Sequence, residues 1–479
     1  MKLLLNLVLI ASTAIAQDTY MHKSIHQIES EIHASDPPRF EKLVSPGKPI
    51  PLQQRVSSLS RKSLGWHPYW TDASAYLSFD YQALTHLAYF SYETDTATGG
   101  YSTIRSWLTT PIIAYAHDHG VKVLLTVTNF GLSENDKILG DTARQNTMIT
   151  TLISLLTQRS GDGVNFDFES VRNTQRANLV SFVRRAADRI RSGVPGAEIS
   201  MATPAVDWSG SWDLVQLSSI CDYLVMMGYD YYYSGSSTAG PVAPLQNESY
   251  NVSRSITTYL NGGVAPERLM LGVPWFGYDW PVQGSARKDV ARSSATARTY
   301  VAAENLAGTY GKSFDIPTSV PWVAYQDAGG WRQMWYDDSL SLAMKFAYAN
   351  SRGLAGIGIW ALGYDGKRAA PWLAIRNAFV TNGVESGPAA TPQAFQLEQN
   401  YPNPFNPTTV VSYILPVESE VKLVVYDVLG REISLLDAGL RSPGRHTAIW
   451  DASKYTSGVY YVLLQAGSFV AARPMVLLR

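Results

Sequence analysis

A single cysteine, Cys221, stands in a chain of 479 residues, so no internal disulfide can form and stability must come from packing. Cys221 precedes an apolar, strand-like run and reads as a small buried hydrophobe rather than a nucleophile. An excess of one charge is also missing. The 39 basic and 40 acidic residues leave a net charge of -1, which gives no electrostatic case for nucleic acid or an anionic membrane surface. No apolar run reaches the length of a membrane span. The run Leu3–Ile10, behind Lys2 and ahead of Ala14-Ile15-Ala16, is too short to cross and has the layout of a secretory signal over residues 1–16. No glycine-rich phosphate loop follows the first candidate strand, which argues against a dinucleotide fold. No histidine cluster has metal-ligand spacing, and His67 and His86 read as structural.

What is present is ordinary globular composition, 46% hydrophobic and 16% charged, at a length that suggests two or more domains. The 13 Trp, 28 Tyr and 14 Phe suit either core packing or a cleft in which flat rings meet the apolar faces of sugars. Residues 17–61 are polar and rich in proline, an extended lead-in with one short helix. Over residues 62–382, eight short apolar runs alternate with helical patterns: Leu64–Trp66, Leu84–Phe90, Val121–Thr128, Val164–Glu169, Glu198–Ala202, Tyr223–Met227, Met270–Pro274 and Gly356–Trp360. That β-then-α order predicts a (β/α)8 TIM barrel of the α/β class. Gly and Pro interrupt the pattern at residues 383–394, a linker. Residues 395–479 then switch to strand and turn, a small immunoglobulin-like β-sandwich.

The chemistry concentrates in Asp162-Gly163-Val164-Asn165-Phe166-Asp167-Phe168-Glu169. On a strand, side chains alternate, so Val164, Phe166 and Phe168 share one face while Asn165, Asp167 and Glu169 share the other. Neighbouring buried carboxylates are costly unless they do chemistry. Active groups of such barrels sit at the C-terminal ends of the strands, where Glu169 would lie, with Asp167 one pleat below and Asn165 deeper. A carboxyl whose pKa is raised by its neighbour serves as a general acid toward a glycosidic oxygen. Asp162 reads as a cap bonding backbone amides near Gly163, and Asp337 and Asp338 as a helix N-terminus before Ser339. Tyr231, Tyr232 and Tyr233 fit a glycan cleft or a covered loop equally well.

Residues 62–380 resemble glycoside hydrolase family 18, the chitinase-like enzymes, whose signature is Asp-x-x-Asp-x-Asp-x-Glu; Asn165 stands where the second Asp is usual. Met227-Gly228-Tyr229-Asp230 resembles the Met-x-Tyr-Asp of the sixth strand, Gly272-Val273-Pro274 the seventh, and Trp360 the tryptophan of the eighth. Met334–Asp338 and Gly358–Asp365 are most similar to the bacterial branch that holds spore-cortex and peptidoglycan-lytic enzymes. The resemblance implies retaining, substrate-assisted hydrolysis of an N-acetylglucosamine polysaccharide, with no metal and no cofactor. Glu169 would be the acid, Asp167 the group that orients the acetamide, and Tyr229 its hydrogen-bond partner. Trp360 would form the sugar's floor, with Asp230, Met227 and Asn165 also on the substrate. The alternative is a non-hydrolytic, lectin-like protein on the same barrel, and the presence of Glu169 favours the enzyme. Trp275, Tyr278, Trp280, Trp322 and Trp331 are further aromatics that could set substrate choice.

Asn400-Tyr401-Pro402-Asn403-Pro404-Phe405-Asn406-Pro407, with Val425–Arg431 and Ser457–Tyr461, resembles the C-terminal sorting domains of the type IX secretion system. Its prolines would hold an extended leading strand. The implied partner is that secretion machinery, and the implied location is outside the cell or on its surface, reached through the periplasm.

Overall fold

The computed structural model describes residues 22–36, 52–53, 59–315, 317–380, 395–428, 430–467 and 469–478. The expected signal at 1–16 and linker at 383–394 lie outside the described residues. The chain divides into two units, residues 1–381 and 382–479.

In the first unit eight parallel strands close into a barrel: Lys62–Pro68, His86–Thr94, Lys122–Phe130, Gly163–Glu169, Glu198–Pro204, Tyr223–Met227, Leu269–Pro274 and Gly356–Trp360. Each pairs with the next, and the last closes on the first with Leu64 opposite Gly358. Their ends differ from the sequence reading by up to four residues, because ladder pairing rather than apolar pattern sets where a strand stops. On the fourth strand the apolar face packs against the helix Arg176–Gly193. Phe182 of that helix lies 5.4 Å from both Phe166 and Phe168. The helix buries Leu179, Phe182, Val183, Ala186 and Ile190, the i, i+3, i+4, i+7 stripe that an amphipathic helix turns to a sheet. Asp338 caps the helix Ser339–Ser351 by accepting from the amides of Leu340 and Ser341, and Asp337 forms a buried pair with Lys345.

Between the seventh and eighth strands lies an insertion that the barrel pattern alone did not reveal. Its five strands form an antiparallel sheet in the order Thr296–Thr299, Phe276–Pro281, Gly330–Tyr336, Val320–Asp327, Ser313–Asp315. Most of the aromatics considered for substrate choice are structural there. Trp275, Tyr278 and Trp280 are buried, and Trp322 stacks on Trp335 at 5.3 Å. Asp279, fully buried, is neutralised by Arg298 and Arg332 and accepts the Tyr325 hydroxyl.

The polar lead-in does carry one short helix, Ile25–Ile32, and its place is not peripheral: it lies in the mouth of the barrel.

The second unit consists of a three-stranded sheet (Gln396–Leu397, Thr408–Leu415, Gly444–Asp451) and a four-stranded one (Glu432–Arg441, Ser419–Asp427, Gly458–Ala466, Phe469–Leu477). Alternate residues such as Val421, Leu423, Val425, Val462 and Leu464 fill a common core with Trp450 and Phe405. Around Phe405 the chain makes isolated bridges at Tyr401 and Phe405 instead of the expected continuous strand, since the prolines between them lack N–H donors.

Candidate active site

Glu169 is the last residue of the fourth strand, opposite Phe130 of the third, and Asp167 lies one pleat below opposite Thr128. Asp167 is fully buried and Glu169 is 8% exposed. Beyond the end of the sixth strand, Tyr229 turns inward and Asp230 takes a left-handed backbone conformation with φ of 60°. Tyr278 of the insertion holds Asp230 by donating to its carboxylate at 3.1 Å. Trp360, the last residue of the eighth strand, is fully buried at the same level. Three separate strand ends thus converge, as barrel geometry requires.

The space between these groups is filled by the protein itself. His26, on the Ile25–Ile32 helix, stacks on Trp360 with ring centroids 3.7 Å apart and an interplanar angle of 24°. Its Nδ1 is 2.8 Å from Asp167 Oδ2 and its Nε2 is 2.7 Å from Tyr229 Oη. Glu29, one turn on, accepts from the Trp360 indole at 2.9 Å. The Ile25 amide donates to Asp230 at 3.0 Å, and the Ser24 hydroxyl bonds Glu169 while also capping the helix. Two further stacks flank this one: His22 on Tyr233 at 4.0 Å and His33 on Trp70 at 4.9 Å. Sequence reading passed over these residues. The signal was present, since His22, His26, Glu29 and His33 recur at helical spacing and three of the chain's eight histidines fall within these twelve positions.

Beside the helix a cleft of about 640 Å³ stays open, with Glu169 in its wall. Trp208, Trp212, Tyr231, Tyr233 and Tyr250 also line it, and Trp208 is 52% exposed. Met227 contributes to the lining. Tyr231 and Tyr232 are tied to Ser255 and Glu248.

One expectation needs correction. Asn165 does not reach the cleft: it is fully buried beneath it, its carbonyl accepting from the Trp66 indole at 2.9 Å and its amide donating to Ser200 at 2.9 Å. An amide supplies both the acceptor and the donor that this pair of neighbours uses, and no substrate contact remains for it. Asp162 is structural as read: beside Gly163 it accepts from the backbone amide of Val123 on the third strand, and it also bonds His117.

Four carboxyl groups crowd this small volume. Burial raises Asp167, Asp230 and Glu29 each to about 7, and burial together with the charge of Asp167 raises Glu169 to about 8. Among the described residues, no lysine or arginine stands among the causes of these shifts. Asp167 Oδ1 and Glu169 Oε1 are both buried with no hydrogen-bond partner among the described residues, and the two carboxyls act on each other's protonation. Burial pushes His26 down to about 4, so its ring is neutral. Tyr229 is pushed well above its usual range and keeps its proton. With Tyr229 donating to Nε2, Nδ1–H donates to Asp167. His26, Asp167 and Glu169 bring three possible ligand atoms within 4.8 Å of one another, the one such group among the described residues. Both ring nitrogens of His26 are already engaged, which leaves no lone pair for an ion. Cys221 is buried, with its thiol pushed up to about 12, and is inert.

Residues 65–365 match the family described as Glycosyl hydrolases family 18, and residues 399–477 match the Secretion system C-terminal sorting domain, which indicates export. A di-N-acetylchitobiase of Mus musculus is 25% identical over 276 residues, 52% of this chain and 72% of that one. A cortical fragment-lytic enzyme of Bacillus anthracis is 26% identical over 295 residues, 58% of this chain, and the chain spans 65% of its length, slightly under two thirds. Among solved structures, a family 18 chitinase from Cycas revoluta bound to an N-acetylglucosamine tetramer has a TM-score of 0.61 at 21% identity, covering 66% of this chain and 99% of the chitinase.

Proposed function

Because the chain belongs to glycosyl hydrolases family 18, we propose that it is a secreted, retaining glycoside hydrolase that cleaves β-linked N-acetylglucosamine polymers, namely chitin and its oligosaccharides or peptidoglycan. The observation that carries this reading is the convergence of Glu169, Asp167, Tyr229 and Trp360 on one small volume.

Glu169, raised to about 8, holds its proton at neutral pH and delivers it to the glycosidic oxygen as the C–O bond breaks. The substrate's acetamido oxygen attacks the anomeric carbon from the opposite face and forms an oxazolinium ion. Asp167 accepts from the acetamide N–H and balances the positive charge; Tyr229 donates to the acetamide oxygen and aims it. Trp360 is the apolar floor, and Asp230 and Met227 contact the same sugar. Water, deprotonated by Glu169, then opens the ring ion with net retention. The second unit directs the chain through the periplasm and the type IX machinery to the cell surface or medium.

The test is mass spectrometry of products from chitin, peptidoglycan and N-glycan treated with the full chain and with a His26→Ala variant, each with and without Glu169→Gln. Release of N-acetylglucosamine-ended fragments that vanishes with Glu169→Gln supports the reading. Equal release with and without that change removes Glu169 from the mechanism.

A further inference from the structure

The cleft assigned to glycan is already occupied, and by a segment whose chemistry matches what that cleft would recognise. A neutral imidazole offers one N–H donor and one ring-nitrogen acceptor. His26 directs the donor to Asp167 at 2.8 Å and takes the Tyr229 hydroxyl on the acceptor at 2.7 Å. An acetamido group offers the same pair, an N–H and a carbonyl oxygen. The flat ring stacked on Trp360 at 3.7 Å stands where a sugar's apolar face would lie. His26 and Ile25 are fully buried, and Gln27, Glu29 and Ser30 are each less than one-tenth exposed.

We propose that residues 22–36 are an intramolecular inhibitor, the Ile25–Ile32 helix occupying the cleft as a mimic of an N-acetylated sugar and excluding glycan until it is displaced. The proposal rests on the glycan reading of the cleft, and its steric part needs only the contacts above. Trp360 cannot stack the same face on His26 and on a sugar. Nor can Asp167 and Tyr229 bond both at once.

An eight-residue helix is too short to persist alone in water, so its structure depends on the cleft's contacts. The covalent link to the barrel gives it an effective concentration on the order of millimolar, high enough to outcompete a weakly held glycan. The block is one-sided. The helix covers the Trp360 half, while the half lined by Trp208, Trp212 and Tyr250 stays open with Glu169 at its boundary. A chain end can therefore enter the open half, but no glycan can span Glu169, which cleavage requires.

The test compares full-length protein with the full-length double variant His26→Ala/Glu29→Ala, which removes the stacked ring and the bond to Trp360. Binding of the N-acetylglucosamine trimer, followed by tryptophan fluorescence at pH 6.5 in a Glu169→Gln background, gives a readout independent of turnover. At least tenfold tighter binding by the double variant is expected, reversed by adding a synthetic peptide of residues 22–36. With Glu169 intact, hydrolysis of a fluorogenic chitobioside is expected to rise at least tenfold. A structural prop predicts the opposite pattern: a lower thermal midpoint with binding unchanged or weakened, and that outcome overturns the proposal. Tighter binding without hydrolysis in any form keeps the inhibitor and defeats the hydrolase reading. Hydrolysis that the double variant leaves unchanged, with unchanged trimer binding, keeps the hydrolase and defeats the inhibitor.

Discussion

Raising the pH from 6.5 to 8 should loosen the helix from the cleft. With the helix seated, Glu29, Asp167 and Asp230 lie at about 7 and Glu169 at about 8; each falls toward its ordinary range when solvent returns. The groups facing them are His26, Tyr229, Tyr278, Tyr364, the Trp360 indole and the Ser24 hydroxyl, none of them a permanent cation. A carboxyl raised in the seated state favours that state at low pH, and its contribution is lost as pH rises through the seated value. His26 acts in the other sense. Depressed to about 4 when seated, it opposes seating as pH falls below 6.5 and offsets about one carboxyl there. Above 6.5 that offset is gone and the carboxyls act alone. Each full pH unit over which one carboxyl stays protonated only in the seated state is worth about 1.4 kcal/mol, a factor of about ten. In the Glu169→Gln background three such groups cross half a unit each before reaching about 7. The sum, reduced by their coupling, is about 1 to 2 kcal/mol or roughly tenfold. The assay is trimer affinity of the Glu169→Gln chain divided by that of the same chain carrying His26→Ala/Glu29→Ala, a ratio that cancels the pH dependence of the glycan site. It should move roughly tenfold toward unity between pH 6.5 and 8. A ratio that is flat, or that moves away from unity, would show that these carboxyls do not hold the helix in the cleft.

Two other changes probe the scaffold. Asn165→Asp places a carboxylate between the Trp66 indole and Ser200, whose hydroxyl can turn to donate. The added charge one pleat below Asp167 should raise Glu169 further and move the basic limb of the pH–rate profile upward; an unmoved limb counts against it. Asp338→Ala removes a cap with two amide partners and the Lys312 pair at 2.7 Å, and should cost about 1 to 2 kcal/mol, several degrees of thermal midpoint. Asp338→Asn should recover most of the loss, and an unchanged midpoint in the alanine variant would show that the cap is idle.

The barrel was legible because parallel strands buried on both faces leave near-continuous apolar runs, and the fourth strand's alternation announced which side chains share a face. Its five-stranded insertion was hidden, since nothing local marks Phe276–Pro281 and Gly330–Tyr336 as strands until their antiparallel partners are known. In the second unit the charges and Gly439 of Glu432–Arg441 blur the alternation of a strand that bulges against its neighbour. Glu169, Asp167, Tyr229, Asp230 and Trp360 could be named from local motifs, each tied to a strand end. His26 could not, because its significance lies in partners 141 and 203 residues away. Asn165, a departure from the family pattern in the sequence, is accounted for by Trp66 and Ser200, two residues that no motif contains.

In the proposed reaction, the pocket formed by Asp167, Tyr229 and Trp360 uses the substrate's own acetamide as nucleophile. The most direct measurement compares a fluorogenic chitobioside with the matching cellobioside, which carries a hydroxyl in place of the acetamide, using the His26→Ala/Glu29→Ala chain. Hydrolysis of the chitobioside alone is expected, with the β-anomer as first product. Comparable rates on the two sugars, or an inverted product, would contradict it.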